Sequence, residues 1–439
     1  MIRFADISGH FQKNEDGGMT LLGLYMGAGA LIVGGLAVDG AQLMSTRTQL
    51  QVAADFAAHA ALYTREHKDA QEAKAKAIEL TRGSFPSLAF GKLLTEDNIH
   101  FGTYDAASQV FTIDENQREA VYVQTERLSS NANPVTSFLM QFVGFKDWDV
   151  LTPSVFEVYR PHCLRDGWVG DDTVDSQSNN YFHEGFCIHS NTEVEINSGS
   201  IYESGVTVSA PDGYRDVIVP TSGYESNDGL YEAIDGHYYP LRIFTQLDAI
   251  YKGIYDVTGE SEYSRPYLIN LVAVPLLTRT LSASDFVPGF IYTAECSGNQ
   301  QLQIDATPVV RDIMIDTNCK ISFKEGSALE NVVIWTTNTS DRSINSPNDL
   351  RLGKDDNCDP ANGVNIVTYG GFEVAAGLEI YGSQVLAKGP IQFSAKSDGV
   401  QGGSFISLQT VDGTSNTSMG ICANNGGEVF EVDLFRMAG

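Results

Sequence analysis

Acidic side chains are the residues of this 439-residue chain with the clearest potential for chemistry, since paired carboxylates can act as acid and base on a glycosidic bond. Glutamates at alternating positions would share one face of a strand, and four are candidates for such a groove: Glu193, Glu195, Glu373 and Glu379. The chain holds 56 Asp and Glu, so chance proximity is expected. We therefore interpret these carboxylates as solvated side chains and predict no catalytic residue and no enzyme.

A second acidic group lies in the sequence KDDNCD, at residues 354–359. It offers oxygen ligands of the kind that calcium takes, from Asp355, Asp356, Asn357 and Asp359. The spacing matches no EF-hand, and the histidines show no HExxH pattern: His162, His183, His189 and His237. No cofactor and no metal site is predicted, with calcium at the acidic loop as the alternative.

The six cysteines all follow residue 160 and form no CxxC pair, which argues against zinc: Cys163, Cys187, Cys296, Cys319, Cys358 and Cys422. An even count fits disulfides in an oxidising compartment. Six cysteines allow about 15 pairings, and proximity in the sequence favours 163 with 187, 296 with 319 and 358 with 422. Six buried free thiols are the alternative.

The charge of the chain excludes one class of partner. The formal net charge is -28 and the pI is about 4.5. Nucleic acid gains affinity from the release of counterions by basic side chains, so a polyanion would be repelled by this protein. We expect no nucleic-acid partner.

Residues 19–38 carry no charge and would form a helix of about 30 Å, the thickness of a bilayer core. Arg3 and Lys13 precede this stretch and Asp39 follows it, which predicts a cytoplasmic N-terminus at residues 1–18. A cleaved signal peptide is the alternative. Small residues at spacings of three and four would let another helix approach closely, and they are Gly23, Gly27, Ala30 and Gly34.

After Gly40 the chain has no Pro or Gly until Gly83 and is rich in Ala, Gln, Glu and Lys. These are strong helix formers, so one extended helix is predicted over residues 39–82.

The transition between the two helical stretches, residues 35–55, has the sequence GLAVDGAQLMSTRTQLQVAAD. This sequence resembles the N-terminal region of TadE/TadG-like proteins of the Flp (Tad) pilus machinery. The matching residues are Gly35, Leu36, Ala37, Val38, Asp39, Thr48, Gln49, Leu50, Gln51, Ala53, Ala54 and Asp55. The resemblance covers about residues 10–160, including a small α/β module at 83–160. It implies a pilin-like or pilus-assembly role with membrane proteins of that machinery as partners. Prepilin processing after Gly18 would require a glutamate at the fifth position of the mature chain, but that position is Gly23. The resemblance therefore does not imply processing.

Residues 161–439 are predicted to form an acidic, β-rich domain, because from about Cys187 the sequence consists of short apolar alternations separated by Gly, Asn, Asp and Ser. This pattern is typical of many short strands with tight turns and favours a right-handed parallel β-helix, with a β-sandwich as the alternative. Within this acidic region, residues 240–257 have apolar positions at helical spacing and predict a helical insertion.

These observations favour a non-enzymatic, single-pass protein of the bacterial inner membrane. Its C-terminal domain would be periplasmic or extracellular and would serve adhesion or assembly, with a surface glycan or another cell-surface ligand as its target. The alternatives are a membrane-tethered, glycan-active β-helix enzyme and a structural component of a phage or secretion apparatus.

Overall fold

The computed structural model describes residues 18–298, 300–422 and 428–438. Two compact units divide the described residues: the first contains residues 18–159 and 435–438, and the second lies between residues 160 and 434. The second unit is therefore inserted into the first along the sequence. The predicted cytoplasmic N-terminus lies outside the described residues except for Gly18.

The first unit begins with a 48-residue helix, α1 (Gly18–Arg65). Its N-terminal half is exposed almost throughout, and α1 meets the length and composition expected of a membrane-spanning helix. Two shorter helices follow, α2 (Ala70–Ser84) and α3 (Ser87–Phe90). The long apolar helix predicted at the N-terminus is confirmed.

The prediction of one extended helix over residues 39–82 is wrong, because α1 stops at Arg65 and α2 starts again at Ala70. Asp69 forms the N-cap of α2, where its side chain accepts the N–H of Glu72 at 2.8 Å. Both helices carry alanine faces that exclude water only when packed together, and the shared core includes Ala57, Ala58, Ala61, Ala73 and Ala77. The turn lets these faces meet.

A five-stranded sheet completes the first unit, in the order β2-β1-β3-β6-β30. Its strands are β1 (Ile99–Asp105), β2 (Val110–Ile113), β3 (Ala120–Arg127), β6 (Val150–Tyr159) and β30 (Leu434–Met437), while β4 (Val135–Thr136) and β5 (Asp147–Trp148) form a separate pair. The pairs β1–β2, β1–β3 and β3–β6 are antiparallel. The last strand of the chain thus joins a sheet whose other strands end by residue 159.

The second unit is built from short strands that pair in parallel. They are β7 (Gly167–Gly170), β8 (Val174–Ser176), β9 (Tyr181–Phe182), β10 (Cys187–Ser190), β11 (Val194–Ile196), β12 (Ile201–Tyr202), β13 (Thr207–Ala210), β14 (Val217–Ile218), β15 (Ile234–Gly236), β16 (Asn270–Pro275), β17 (Thr280–Ser282), β18 (Phe290–Ala294), β19 (Gln301–Asp305), β20 (Val310–Thr317), β21 (Lys320–Phe323), β22 (Ala328–Thr336), β23 (Ile344–Ser346), β24 (Arg351–Leu352), β25 (Val364–Thr368), β26 (Phe372–Ala387), β27 (Ile391–Ser407), β28 (Val411–Asp412) and β29 (Ser418–Gly420). Cys187 pairs with Gly167 and with Thr207, each 20 residues away in the sequence. The predicted mostly β region is confirmed, and its sheet is parallel.

The order of the strands in this stack differs from their order in the sequence. One line of paired residues runs through Ile291, Met314, Val333, Asn365, Gln384, Ser404, Gly167, Cys187 and Thr207. The strands β27, β28 and β29 pair with β7, β8 and β9, and we call this contact the junction. The first and last coils of the unit therefore meet inside the stack, not at its ends.

A connection of residues 237–269, here called the strap, joins β15 at one end of the stack to β16 at the other. The predicted helix over 240–257 is shorter than expected: a single 3-10 turn (Arg242–Thr245) precedes α5 (Leu247–Ile254), and the four-residue α4 (Leu230–Ala233) lies before the strap. The carboxylate of Asp256 accepts the N–H groups of Thr258 and Ser261, which turns the chain after α5.

Apolar residues fill the stack on the inside and also cover one outer face. Trp168 is fully buried inside, with edge-on contacts to Phe182, Phe186 and Phe393. Outside, the strap packs on two neighbouring columns of outward-facing side chains, one with Met314 and Val333 and the other with Val367, Leu386, Ile406 and Val169. The strap thus supplies a second core.

All six cysteines are paired, and each pair is the one that proximity in the sequence favoured. The disulfides join Cys163 to Cys187, Cys296 to Cys319 and Cys358 to Cys422, with sequence separations of 24, 23 and 64. All three disulfides lie within the second unit. Because no cysteine is free, the free-thiol alternative is not supported.

Candidate functional site

Asp39, directly after the predicted membrane span, holds a loop of the first unit against α1. Its carboxylate accepts three backbone N–H groups, from Phe138 at 2.8 Å, Leu139 at 3.0 Å and Met140 at 2.6 Å. These N–H groups precede and begin the 3-10 turn Met140–Val143, whose N-terminal end favours a negative charge. Asp39 is only 4 % exposed, so the contact is a buried clamp.

The clamped segment is the aromatic loop, residues 138–145. Gly35 lies one helical turn before Asp39, and a Cβ built on it would stand 3.3 Å from the Leu139 Cβ, so a small residue lets the loop come close. Gly144 ends the 3-10 turn with a φ of 102°, a conformation that glycine adopts readily. The two family positions Gly35 and Asp39 therefore have one structural task, which is to seat this loop.

The predicted small-residue face of α1 stays open. A Cβ built on Gly23, Gly27 or Gly34 would meet nothing within 4 Å, and Ala30 is exposed. At 3.6 residues per turn this face lies about 120° around α1 from the face that carries the aromatic loop. Among the described residues, nothing covers this face.

The remaining family positions divide into two groups. Leu50, Ala53 and Ala54 are buried in the first unit, while Leu36, Ala37, Val38, Thr48 and Gln49 are exposed. Gln51 is half-buried and donates from Nε2 to Asp55 Oδ1 at 2.8 Å and to the carbonyl of Pro153 at 3.1 Å. The structure therefore explains the inward positions of the motif by packing. The outward positions are exposed, and Thr48 donates only to the carbonyl of Met44 on the same helix, at 3.1 Å.

The four glutamates singled out in the sequence do not form one groove. Glu195 and Glu373 belong to the same outward ladder of paired residues, but Gln392, Asp412 and Asp175 lie between them. Glu379 contacts Lys396 at 3.2 Å, and Glu193 accepts a hydrogen bond from Thr173 at 3.4 Å. Glu373 forms an ion pair with Arg342.

Three carboxylates of this ladder lie on successive strands, and the middle one is Asp175. Its partial burial, together with the charges of Asp412 and Glu195, raises the pKa of Asp175 above its ordinary value. Gln177 and Asn197 donate hydrogen bonds to it and offset part of the repulsion. Stacking of like charges here costs stability at neutral pH.

A group that the sequence analysis did not identify lies at the junction, where Ser418, His183 and Glu203 are linked in series. His183 Nε2 lies 2.8 Å from Ser418 Oγ, and its Nδ1 lies 3.3 Å from Glu203 Oε2. Glu203 also accepts hydrogen bonds from Tyr181 Oη at 2.7 Å and from the N–H of Glu184 at 2.9 Å. The hydrogen bond from Tyr181 is the main cause that lowers the pKa of Glu203 and keeps it ionised.

The hydroxyl, imidazole and carboxylate are connected as in a nucleophile–base–acid triad. They line a cavity of ≈ 380 Å³ together with Glu184, Asp398 and Gln401. Ser418 and His183 are 235 residues apart in the sequence and belong to the last and first coils. Only the pairing of β29 with β9 brings them together, so spacing along the chain carried no signal of this group.

The acidic sequence KDDNCD folds into a loop whose carboxylates serve the backbone. Asp356 accepts from the N–H of Asp359 at 3.0 Å and from Asn362 Nδ2 at 2.7 Å, and Asp359 accepts the N–H of Ala361 at 3.0 Å. Cys358, between them, is held by its disulfide. Across the part of the chain that the structure describes, no group of three or more His, Cys, Asp or Glu side chains is arranged to hold a metal ion.

Comparison with known families gives two matches. Residues 167–423, more than half of the chain, match a family model described as domain of unknown function (DUF7867). Residues 17–72 match a model described as putative Flp pilus-assembly TadE/G-like, which confirms the N-terminal resemblance over α1 and the start of α2. No curated protein and no solved structure matched the chain significantly.

Proposed function

Because the chain belongs to the family described as domain of unknown function (DUF7867) and carries a TadE/G-like N-terminal region, we propose that it is a membrane-anchored component associated with Flp (Tad) pilus assembly. In this proposal α1 holds the protein in the bacterial inner membrane, and the second unit is presented on the periplasmic or extracellular side for adhesion or assembly. The observation that carries the proposal is the TadE/G-like match, which falls on an exposed apolar helix.

The membrane helix supplies the contact with other pilus-assembly proteins. Gly23 and Gly27, and Ala30 and Gly34, form two pairs of small residues four positions apart on one open face. Small residues at this spacing let two helix backbones approach within the bilayer. We expect the partner to be a pilin-like or pilus-assembly membrane helix.

The second unit is proposed to be a right-handed parallel β-helix with a permuted order of coils. Its inward columns of Ile, Val, Leu and Phe, and its parallel pairs at spacings of about 20 residues, support this architecture. A β-sandwich would need antiparallel pairs, and every pair recorded within this sheet of the described chain is parallel. Its long polar faces suit a surface glycan or another cell-surface ligand, without a cofactor.

The helix contact can be tested with two matched glycine variants. Gly27 and Gly29 are both open on α1, but they lie about 160° apart around the helix. Gly27→Ile should reduce co-purification with pilus-assembly membrane proteins, because added bulk separates the backbones, while Gly29→Ile should not. Equal effects of the two variants, or none, would contradict the proposed face.

The proposed location is tested by fractionation. The full chain should resist carbonate extraction and lose its second unit to protease added from the periplasmic side. Recovery of a soluble protein that lacks its first forty or so residues would instead identify a cleaved leader. Removal of the second unit should abolish attachment while the membrane complex still forms.

A second candidate function, a membrane-tethered hydrolase of acyl esters on a surface glycan, is favoured by the Ser418–His183–Glu203 series alone. In this reaction His183 would take the Ser418 proton as Oγ attacks the ester carbonyl, and would return it to the leaving alcohol. Water would then release the acid from the serine. Turnover of an acetylated glycan that Ser418→Ala abolishes and Ser415→Ala spares would establish it. Turnover that Ser418→Ala leaves unchanged would exclude Ser418 as the nucleophile, and absence of turnover in the wild type would leave the non-enzymatic proposal in place.

A further inference from the structure

The aromatic loop exposes an unusual amount of apolar surface for a segment outside the membrane helix. Phe142 is 82 % exposed, Phe138 is 64 %, Phe145 is 58 % and Val143 is 49 %. Contiguous apolar patches of this kind on a protein surface mark sites of contact with membranes or other proteins. The loop therefore needs a partner that is not water.

The position of the loop along α1 identifies the surroundings. A cavity of ≈ 430 Å³ between the two is lined on the helix side by Ala28, Leu31, Ile32 and Gly35. At about 1.5 Å per residue, Ala28 lies roughly 15 Å inside Val38, the last apolar residue of the span. The loop thus reaches the depth at which α1 itself is surrounded by hydrocarbon.

Backbone N–H groups of the aromatic loop have hydrogen-bond partners within the protein. The N–H groups of Phe138, Leu139 and Met140 bind the Asp39 carboxylate. The N–H groups of Phe142, Gly144 and Phe145 donate to carbonyl groups of the same loop. Gln141 Nε2 donates to the carbonyl of Phe138, and at the base of the loop the N–H of Ser137 donates to the carbonyl of Lys146. An N–H or C=O group without a partner is costly in hydrocarbon, so these internal hydrogen bonds lower the cost of placing the loop in a lipid leaflet.

The base of the loop has the composition of a membrane–water boundary. Trp148 stacks on Phe145 with ring centroids 6.3 Å apart and donates its Nε1–H to Ser137 Oγ at 2.6 Å. The polar residues Lys146, Asp147 and Asp149 stand beside it in the sequence. Tryptophan and charged side chains are the usual neighbours of the headgroup region.

We propose that the aromatic loop is a wedge inserted into the outer leaflet beside α1, with lipid acyl chains as its occupant. The inference rests on the proposed membrane residence of α1 and adds a second point of contact with the bilayer. Two attachments on one rigid unit fix the tilt and rotation of the first unit over the membrane, which a single helix leaves free.

The test uses Trp148 as a depth probe in the purified full chain, reconstituted in vesicles of phosphatidylethanolamine and phosphatidylglycerol. Trp168 and Trp335 are 0 % and 2 % exposed in the second unit, so quenching by brominated acyl chains should come from Trp148 and disappear in Trp148→Phe. Bromine near the carbonyl end of the chains should quench more strongly than bromine near the methyl end.

A matched pair of variants separates the wedge from general surface effects. Phe142→Asp should remain resistant to carbonate because α1 is intact, yet it should lose most of the lipid quenching of Trp148. Ile113→Asp, at a residue 59 % exposed on β2, should leave the quenching unchanged. Release of the wild-type chain by carbonate would overturn the anchor and the wedge together. A retained chain whose Trp148 is quenched by aqueous acrylamide and not by lipid would overturn the wedge alone.

A photo-crosslinking residue at position 142 in native membranes identifies the occupant directly. Lipid adducts are the expected product. Adducts confined to another membrane protein would show that the loop is a docking surface for a helix and would overturn the proposal.

Discussion

The two units of this protein differ in how far apart in the sequence their packing partners lie. In the first unit, α1, α2 and the sheet pack through partners that follow one another in the sequence, and only β30 returns from the end of the chain. In the second unit, the first and last coils meet at the junction, and the strap runs outside the stack to make that order possible. Local sequence therefore determines much of the first unit, whereas the second depends on contacts across its whole length.

Trp168 offers the largest test of this difference, because it lies at the junction and is fully buried. Trp168→Ala should lower the free energy of unfolding of the second unit by about 3–5 kcal/mol through lost burial and a cavity. Hydrogen exchange should rise both in β7 and in β27, which are far apart in the sequence. Phe101→Ala, an equally buried change in the first unit, should raise exchange there instead. Protection of β27 that survives Trp168→Ala would contradict a cooperative junction.

The disulfides sharpen the comparison, because the first unit has none. Loop-closure entropy predicts that replacing Cys358 and Cys422 by serine costs about 4 kcal/mol, against about 3 kcal/mol for the shorter loop of Cys296 and Cys319. Denaturant unfolding of the two double variants checks the order. Equal losses would contradict the explanation that these disulfides stabilise the protein by lowering the entropy of the unfolded chain.

Acid should weaken the second unit through His189, whose ring contacts that of Tyr239 at the start of the strap, with centroids 4.4 Å apart. Burial lowers the pKa of His189 to about 4 from an ordinary 6.5, so the folded state favours the neutral ring. The unfolded chain binds the proton first, and stability present above pH 6.5 should fall by about 3 kcal/mol as the pH drops to 4. Thermal unfolding against pH measures this loss, and His189→Gln should flatten that part of the profile.

The smallest expected effect has the opposite sign. The pKa of Asp175 is raised by burial and by Asp412 and Glu195, so its charge costs stability at neutral pH and the cost disappears on acidification. Asp175→Asn should raise the free energy of unfolding by less than about 1 kcal/mol at pH 7, because the half-exposed site is screened by water. The gain should vanish below the pKa of Asp175. A loss at pH 7 would show that its hydrogen bonds outweigh the repulsion.

The sequence predicted features that depend on local pattern. The apolar run of α1, the short strands and the three cysteine pairs follow from hydropathy, alternation and proximity. The break at Asp69 was missed, because helix propensity does not show that two alanine faces attract each other. The Ser418–His183 contact was also missed, since it depends on the order of the coils, which no periodic pattern encodes.

The aromatic loop had a partial signal. Phe138, Phe142 and Phe145 stand close together in the sequence, but their exposure became visible only when the Asp39 clamp placed them beside α1. A run of aromatic residues in a small module is ordinarily interpreted as core. The distinction between core and membrane contact required the position of the loop in three dimensions.

The junction also means that β7 is synthesised well before one of its two partner strands. Ribosomes add about 5–20 residues per second, so β7 leaves the ribosome roughly 10 to 50 s before its partner β27. During that interval the open edge of β7 offers unpaired N–H and C=O groups that another chain can pair with. Until β27 is synthesised, this edge of β7 has no partner strand within the second unit.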